Sequence, residues 1–260
     1  MTRASRVAAD LIWGAWRDGR VVAQLPEDVR PVTRAEGYAI QAEFEKRSGK
    51  PLFGWKIAAT SVAGQQHIGV SGPIAGRLLA ERVHGDGVAL EIGANRMRVA
   101  EPEFAFRFGR DVAPRAAPYS VDEVMDAVGG LHPSIEVPDS RYADFARVGD
   151  AQLIADNACA HEFVLGPAAP EDWRSIDLVV HRVRGEIAGR LDREGSGANV
   201  LGDPRIALAW LVNEVVALGL ILRAGQVVTT GTCMPPLEIQ PGDRVRMDFG
   251  CLGAVSASFA

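Results

Sequence analysis

Met97-Arg98-Val99-Ala100-Glu101-Pro102-Glu103-Phe104-Ala105-Phe106-Arg107-Phe108 reads as one extended strand. On a strand successive side chains point to opposite faces, so Glu101 and Glu103 share a face while Phe104, Phe106 and Phe108 pack on the other. Two neighbouring carboxylates backed by an aromatic row repel each other unless a cation or a proton lies between them. Pro102 removes one ladder hydrogen bond and predicts a sheet edge or an irregular rim.

A third acid stands in Pro133-Ser134-Ile135-Glu136-Val137-Pro138-Asp139. Glu136 lies between Ile135 and Val137 in a short apolar strand, where an unpartnered carboxylate is costly. Three carboxylates from two strands suit a hard divalent ion, Mg²⁺ or Mn²⁺, with positions left open for a chelating substrate. The competing reading has Glu101 and Glu103 on a solvated strand face and Glu136 paired with an arginine. In Phe53-Gly54-Trp55-Lys56-Ile57-Ala58 a single lysine sits among apolar residues. Desolvation would lower the Lys56 pKa and suit it to acid/base work; alternatively, it snorkels to the surface.

Around these segments the texture is mixed. Leu11, Ile12, Ala15 and Trp16 fall on one helical face, and Thr33-Arg34-Ala35-Glu36 is a capping-box pattern whose helix closes at Ser48-Gly49. Thr60 or Ser61 caps a short helix ended by Gly69, Ser120-Val121-Asp122-Glu123 opens another, and Asp203-Pro204 a third that stops at Gly219. Further strands are expected at 134–137, 178–183, 226–230, 244–249 and 254–259. Strands and helices do not alternate as a doubly wound sheet requires. The expectation is an α+β chain: a helical portion over residues 1–75 and a β-rich core over 76–260 forming one compact unit.

Composition narrows the function. The 260 residues carry 28 basic and 33 acidic side chains, a formal charge of −5 with no basic patch, which argues against nucleic-acid binding. Cys159, Cys233 and Cys251 form no CxxC pair, and no apolar run approaches a membrane span, so a cytoplasmic protein with no membrane partner is expected. His67, His84, His132, His161 and His181 show no ligand spacing, and 195–202 is a glycine-rich loop without phosphate-loop context.

Taken together, the segments resemble the hydratase/decarboxylase branch of the fumarylacetoacetase superfamily, in order from about Gly54 to the C-terminus, with a weaker helical match before it. The carriers are Gly54-Trp55-Lys56-Ile57-Ala58-Ala59-Thr60-Ser61, Glu101-Pro102-Glu103, Glu136-Val137-Pro138-Asp139-Ser140-Arg141, Ala155-Asp156-Asn157-Ala158, Thr229-Thr230-Gly231-Thr232 and Pro241-Gly242-Asp243. The resemblance implies a mixed β-roll of fumarylacetoacetase C-terminal type that assembles as a homo-oligomer. It implies Mg²⁺ or Mn²⁺ held by Glu101, Glu103 and Glu136, with Lys56 as acid/base and Asn157, Thr230 and Gly231 lining the pocket of a small 2-oxo or 2-hydroxy acid. The implied reaction is hydration of a 2-hydroxy-2,4-dienoate to a 4-hydroxy-2-oxo acid in aromatic meta-cleavage catabolism. The alternatives are decarboxylation of a 2-oxo acid of 4-oxalocrotonate type, C–C hydrolysis of acylpyruvates, or a non-catalytic subunit associated with a pathway decarboxylase or hydratase.

Two positions depart from the pattern. Ile74 stands in Pro73-Ile74-Ala75-Gly76 where the family has an acid, and Cys159 stands where it has serine. His67, Glu81 and His161 are the candidates to supply the missing proton carrier.

Overall fold

The computed structural model describes residues 2–260. Its helices are α1 (Arg3–Arg17), α2 (Arg34–Gln41), α3 (Glu43–Arg47), α4 (Val62–Ile68), α5 (Val121–Ala127), α6 (Asp150–Ala155) and α7 (Pro204–Ala217). Its strands are β1 (Gly54–Ala58), β2 (Ile74–Leu78), β3 (Val83–Gly85), β4 (Val88–Leu90), β5 (Val99–Phe108), β6 (Val128–Val137), β7 (Glu162–Leu165), β8 (Arg182–Ile187), β9 (Leu191–Ser196), β10 (Val227–Thr232), β11 (Leu237–Glu238), β12 (Arg244–Asp248) and β13 (Ala254–Phe259). They form two mixed sheets, one ordered β2-β1-β10-β5-β6-β7-β3 with β11 added on β5, the other ordered β4-β13-β12-β8-β9. This is the α+β architecture expected.

The aromatic row of β5 joins the layers. Phe104 meets Phe249, just beyond β12, edge-on at 5.2 Å between ring centroids, and Phe106 meets Trp173 at 6.1 Å. Local signals set the helix ends. Thr33 and Ser120 form complete capping boxes, Ser61 accepts the Gly64 N–H, Gly69 closes α4 in the left-handed region, and Asp203 caps α7 ahead of Pro204.

Several expectations need correction. The boundary after residue 75 falls inside β2, and β1 and β2 belong to the large sheet, so the helical portion ends with α3 at Arg47. β1 escaped the sequence pattern because its first four residues are all buried, leaving no alternation to read. The helical segment breaks at Ala42, and α3 ends at an extended Ser48, not at a glycine cap. Leu11 is 40% exposed, while Ile12, Ala15 and Trp16 face the core. The strand placed at 178–183 begins at Arg182, and the glycine-rich loop is partly β9.

β5 is an interior strand, not an edge. Pro102 lies just past the irregular stretch of β10 between Thr229 and Thr232, opposite Cys233. The Pro102 carbonyl accepts the Cys233 N–H at 3.0 Å, and the Cys233 carbonyl, which would otherwise face the missing donor, accepts the Ser196 N–H at 3.0 Å and the Asn199 amide at 2.7 Å.

Candidate active site

Antiparallel pairing sets Glu101 of β5 directly opposite Glu136 of β6, and Glu103 opposite Ser134. Like charges facing each other across strands are destabilising. Here they are also removed from solvent: Glu103 is 0% and Glu136 1% exposed, with Glu101 half-buried. One carboxylate oxygen from each residue lies within 4.8 Å of the others.

Glu103 Oε2 accepts the Thr229 hydroxyl and the Gly231 N–H, the latter at 2.8 Å. Glu136 Oε1 meets Lys56 Nζ at 2.8 Å. Glu103 Oε1 and Glu136 Oε2 are buried with no hydrogen-bond partner among the described residues. Such oxygens are costly unless something fills their valence. Hard oxygen donors converging in this way fit a small divalent cation.

The cluster perturbs its own ionisation. Burial, and then the Glu136 charge, push Glu101 up to about 7 against the pull of Lys56, and raise Glu103 well above the usual carboxylate range.

Lys56 enters from β1, which runs between β2 and β10, and is 2% exposed. Its cross-strand neighbour is Gly76, where an added Cβ would stand 3.1 Å from Lys56 Cγ and Cδ. The desolvation read from the sequence is present, but its expected consequence is reversed. Burial pulls the ammonium down, while Glu136, Glu103 and Glu101 together outweigh it and raise the pKa. The partner of Glu136 is therefore Lys56, not an arginine, and Lys56 does not snorkel. Nζ also donates to the Ala158 carbonyl at 3.2 Å.

That carbonyl comes from an uncommon turn. Asn157, Ala158 and Cys159 are consecutive non-glycine residues with φ of 57°, 51° and 61°. The left-handed region costs an L-residue about 1–2 kcal/mol, so the surroundings must hold the turn in place. Asp156 accepts the Ser140 hydroxyl at 2.7 Å, the Arg141 N–H at 3.0 Å and the Arg141 guanidinium. Arg141 also donates to the carbonyls of Asp139, Ala160 and Asp156, beneath the Trp16 ring. The Asp-Ser-Arg and Ala-Asp-Asn-Ala segments thus lock onto each other.

Asn157, expected to line the substrate pocket, spends its side-chain amide on the backbone. Its amide is turned into β2, where Oδ1 accepts the Arg77 N–H at 2.7 Å and Nδ2 donates to the Arg77 carbonyl at 2.9 Å. Thr230 likewise spends its hydroxyl on the Phe104 carbonyl at 3.0 Å. Its neighbour Thr229, which sequence reasoning passed over, is the residue that reaches Glu103. Gly231 contributes its N–H at φ 99°, in a place where a Cβ would collide with Thr60 Oγ1 at 2.0 Å.

Residues 33–260 match the sequence model of the fumarylacetoacetate (FAA) hydrolase C-terminal family. The chain belongs to this family. It is 33% identical over 261 residues to 2-keto-4-pentenoate hydratase 1 of Dechloromonas aromatica (strain RCB), covering 99% of this chain and 97% of that one. It is 29% identical to 2-hydroxyhexa-2,4-dienoate hydratase of Comamonas testosteroni, covering 95% and 94%. Among solved structures it resembles 4-oxalocrotonate decarboxylase from Pseudomonas putida G7, complexed with magnesium and adipate, with a TM-score of 0.89, 28% identity, and 100% and 99% coverage.

Within this FAA-hydrolase chain the two departures are both buried. Ile74 opens β2 opposite Ala58 and is 0% exposed in the main core. Burial, and then Asp156, push the Cys159 thiol up to about 12, so it is no proton carrier near neutrality. The substitutes named from the sequence have other neighbours. His67 meets Phe145 edge-on, Glu81 accepts the Ser48 hydroxyl, and His161 lies against Trp16. Burial, and then Arg141 and Arg82, pull His161 down to about 3, which keeps it neutral. No helix among the described residues is long and apolar enough to cross a membrane.

Proposed function

We propose that this chain is a divalent-metal-dependent hydro-lyase that adds water to a 2-hydroxy-2,4-dienoate of the 2-oxopent-4-enoate type, yielding a 4-hydroxy-2-oxo acid. The observation that carries the reading is the buried cluster of Glu101, Glu103 and Glu136, with two unpartnered oxygens and a lysine at its edge. The full-length similarity to named hydratases supports the substrate class.

Glu101, Glu103 and Glu136 would hold a Mg²⁺ or Mn²⁺ ion, which would supply Lewis-acid polarisation and make the substrate carbonyl a better electron sink. The reaction moves the enol proton of the dienol to C5, then places the hydroxyl of water at C4 and its proton at C3. Lys56 Nζ is the group that holds and passes protons. Its ion pair with Glu136 keeps it an ammonium and hence the resident acid. Neutralising the carboxylates weakens that hold and brings Nζ into a range where it gives a proton more readily. Thr229 and the Gly231 N–H orient Glu103 so that Oε1 faces the cluster.

The likeness to 4-oxalocrotonate decarboxylase favours one second reading, in which the same electron sink takes the pair left by departing CO₂. Ultraviolet assay of metal-stripped protein with 2-hydroxypenta-2,4-dienoate, before and after adding Mg²⁺ or Mn²⁺, separates the two. Metal-dependent loss of dienol absorbance with 4-hydroxy-2-oxopentanoate as product supports hydration; CO₂ release from a 2-oxo-3-hexenedioate supports decarboxylation. Lys56→Met should keep metal binding and lose about 10²–10⁴-fold in rate; wild-type turnover in that variant would remove Lys56 from the mechanism. The same reading places the enzyme in the cytoplasm as a homo-oligomer in aromatic meta-cleavage catabolism, with a pathway decarboxylase or hydratase as its associate. Light scattering of the protein alone and mixed with such an enzyme tests the assembly.

A further inference from the structure

Lys56 is fixed at two points, and only one belongs to the carboxylate cluster. The second is the Ala158 carbonyl, at the centre of the left-handed turn over 157–159. The flanking carbonyls of that turn are engaged by backbone: Asn157 O accepts the Ala160 N–H at 3.0 Å, and Cys159 O accepts the Asp139 N–H at 2.9 Å. The Ala158 carbonyl is the one delivered to a side chain.

What docks the turn beside Lys56 is the Asn157 amide, which pairs with both backbone groups of Arg77 much as a neighbouring strand would. Arg77 follows Gly76, the residue paired with Lys56 in the β1–β2 ladder. Gly76 permits the approach from both sides, since a Cβ there would stand 2.4 Å from Asn157 O as well as against the lysine stem. Asparagine also tolerates the left-handed backbone better than most residues.

We propose that Asn157 is a positioning residue for Lys56: its side-chain amide clamps the 157–159 turn to β2 and so sets the Ala158 carbonyl that aims Nζ at the carboxylate cluster. Asn157 needs no contact with substrate for this role. The proposal rests on the acid/base role of Lys56 for its kinetic part only.

The test uses Asn157→Gly, because glycine accepts the φ of 57° and removes only the clamp. The chain has three lysines, Lys46, Lys50 and Lys56, and Lys50 is exposed. Amine acylation read by mass spectrometry therefore reports Lys56 against an internal reference, without any substrate. In Asn157→Gly the Lys56/Lys50 labelling ratio should rise at least about tenfold, as the fixed Nζ is released. In the assay kcat should fall about 10–100-fold, the scale of a misplaced reacting group. KM should change by less than about threefold, as expected when ground-state binding is spared. Asn157→Gly placed in the Lys56→Met background should cost nothing further.

An unchanged labelling ratio overturns the proposal, and so does a loss of kcat that persists when Lys56 is already methionine. Wild-type turnover in Lys56→Met alone would instead count against the acid/base reading, and the labelling ratio would still decide the role of Asn157. Should Asn157→Gly fail to fold, Asn157→Ser is read by the same two measurements.

Discussion

Two groups of buried charge lie on either side of Lys56, and they are built on opposite principles. Around Asp156 the charges balance: Arg141, the Ser140 hydroxyl and backbone groups occupy both carboxylate oxygens, and the guanidinium finds carbonyls for its remaining donors. Around Glu136 they do not: three carboxylates share one lysine, and two oxygens have no partner. Both regions are withdrawn from solvent, so burial alone does not tell them apart. A satisfied buried network specifies a shape. An unsatisfied one stores an affinity for what it lacks, and a divalent cation, which these three carboxylates could hold, would offset the repulsion.

The sharpest way to break this comparison is to remove one charge from each region. Glu103→Gln should abolish metal-dependent turnover and weaken Mn²⁺ binding by more than about 100-fold, since even residues that merely support a ligand commonly cost 10–100-fold. The fold should survive, and the metal-free variant should melt no lower than the wild type, because the amide cannot acquire the charge that burial opposes at this position. Full activity in Glu103→Gln in the presence of a chelator would sink the metal assignment.

Asp156→Asn should do the reverse. It strands Arg141 in the interior and should cost about 3–5 kcal/mol in denaturant unfolding. Metal affinity in the fraction that remains folded should stay near the wild-type value. If Asp156→Asn were stable and inactive, this region would be part of the chemistry and the contrast would fail.

Acidity tests the same contrast without mutation. Glu101 is raised to about 7 and Glu103 well above its ordinary value, so the native state binds protons that the unfolded chain has already released. Stability carried by these groups is therefore present at low pH and lost as pH rises through the folded values. His161, pulled down to about 3, works in the opposite direction, but its contribution is complete above the unfolded histidine value near 6.5. Metal-stripped protein should accordingly melt lower at pH 8 than at pH 6.5. Mg²⁺ at about 100 times its Kd should restore about 2.7 kcal/mol at the higher pH. A melting temperature that rises over this interval without metal would show that the carboxylates are not held against their charge.

The features read correctly from the sequence share a cause: each is local. Capping boxes at Thr33 and Ser120 announce themselves within four residues, and Glu136 stands out because Ile135 and Val137 make its charge anomalous. What was missed depends on partners remote in sequence. β1 and β2 show little alternation because they are buried throughout or nearly so. Thr229 and Thr230 differ only in which way a strand presents them, and the bulge in β10 that settles it is invisible until β5 is alongside. The turn at 157–159 uses alanine and cysteine where only surrounding structure makes a left-handed backbone tolerable. The rise in the Lys56 pKa needed the positions of all three glutamates, since its flanking residues argued for a fall.

The finest test deletes a matched hydrogen bond from each region. Ser140 and Thr229 both donate a hydroxyl to a buried carboxylate, one to Asp156 and one to Glu103. In each case a backbone N–H remains on the same oxygen, from Arg141 and Gly231 respectively. Ser140→Ala should cost about 1.5 kcal/mol of stability, the low end for a bond to a charged group because Arg141 stays in place. It should leave Mn²⁺ affinity unaltered. Thr229→Val, nearly isosteric, should cost less in the metal-free protein, where the raised pKa of Glu103 leaves little negative charge for the hydroxyl to stabilise. With metal added the order should invert, because Thr229 fixes the rotation that presents Oε1, and affinity should fall about tenfold. Equal losses of stability and equal indifference to metal would mean that the two carboxylates are held for the same purpose, and the distinction between scaffold and site would have to be drawn elsewhere.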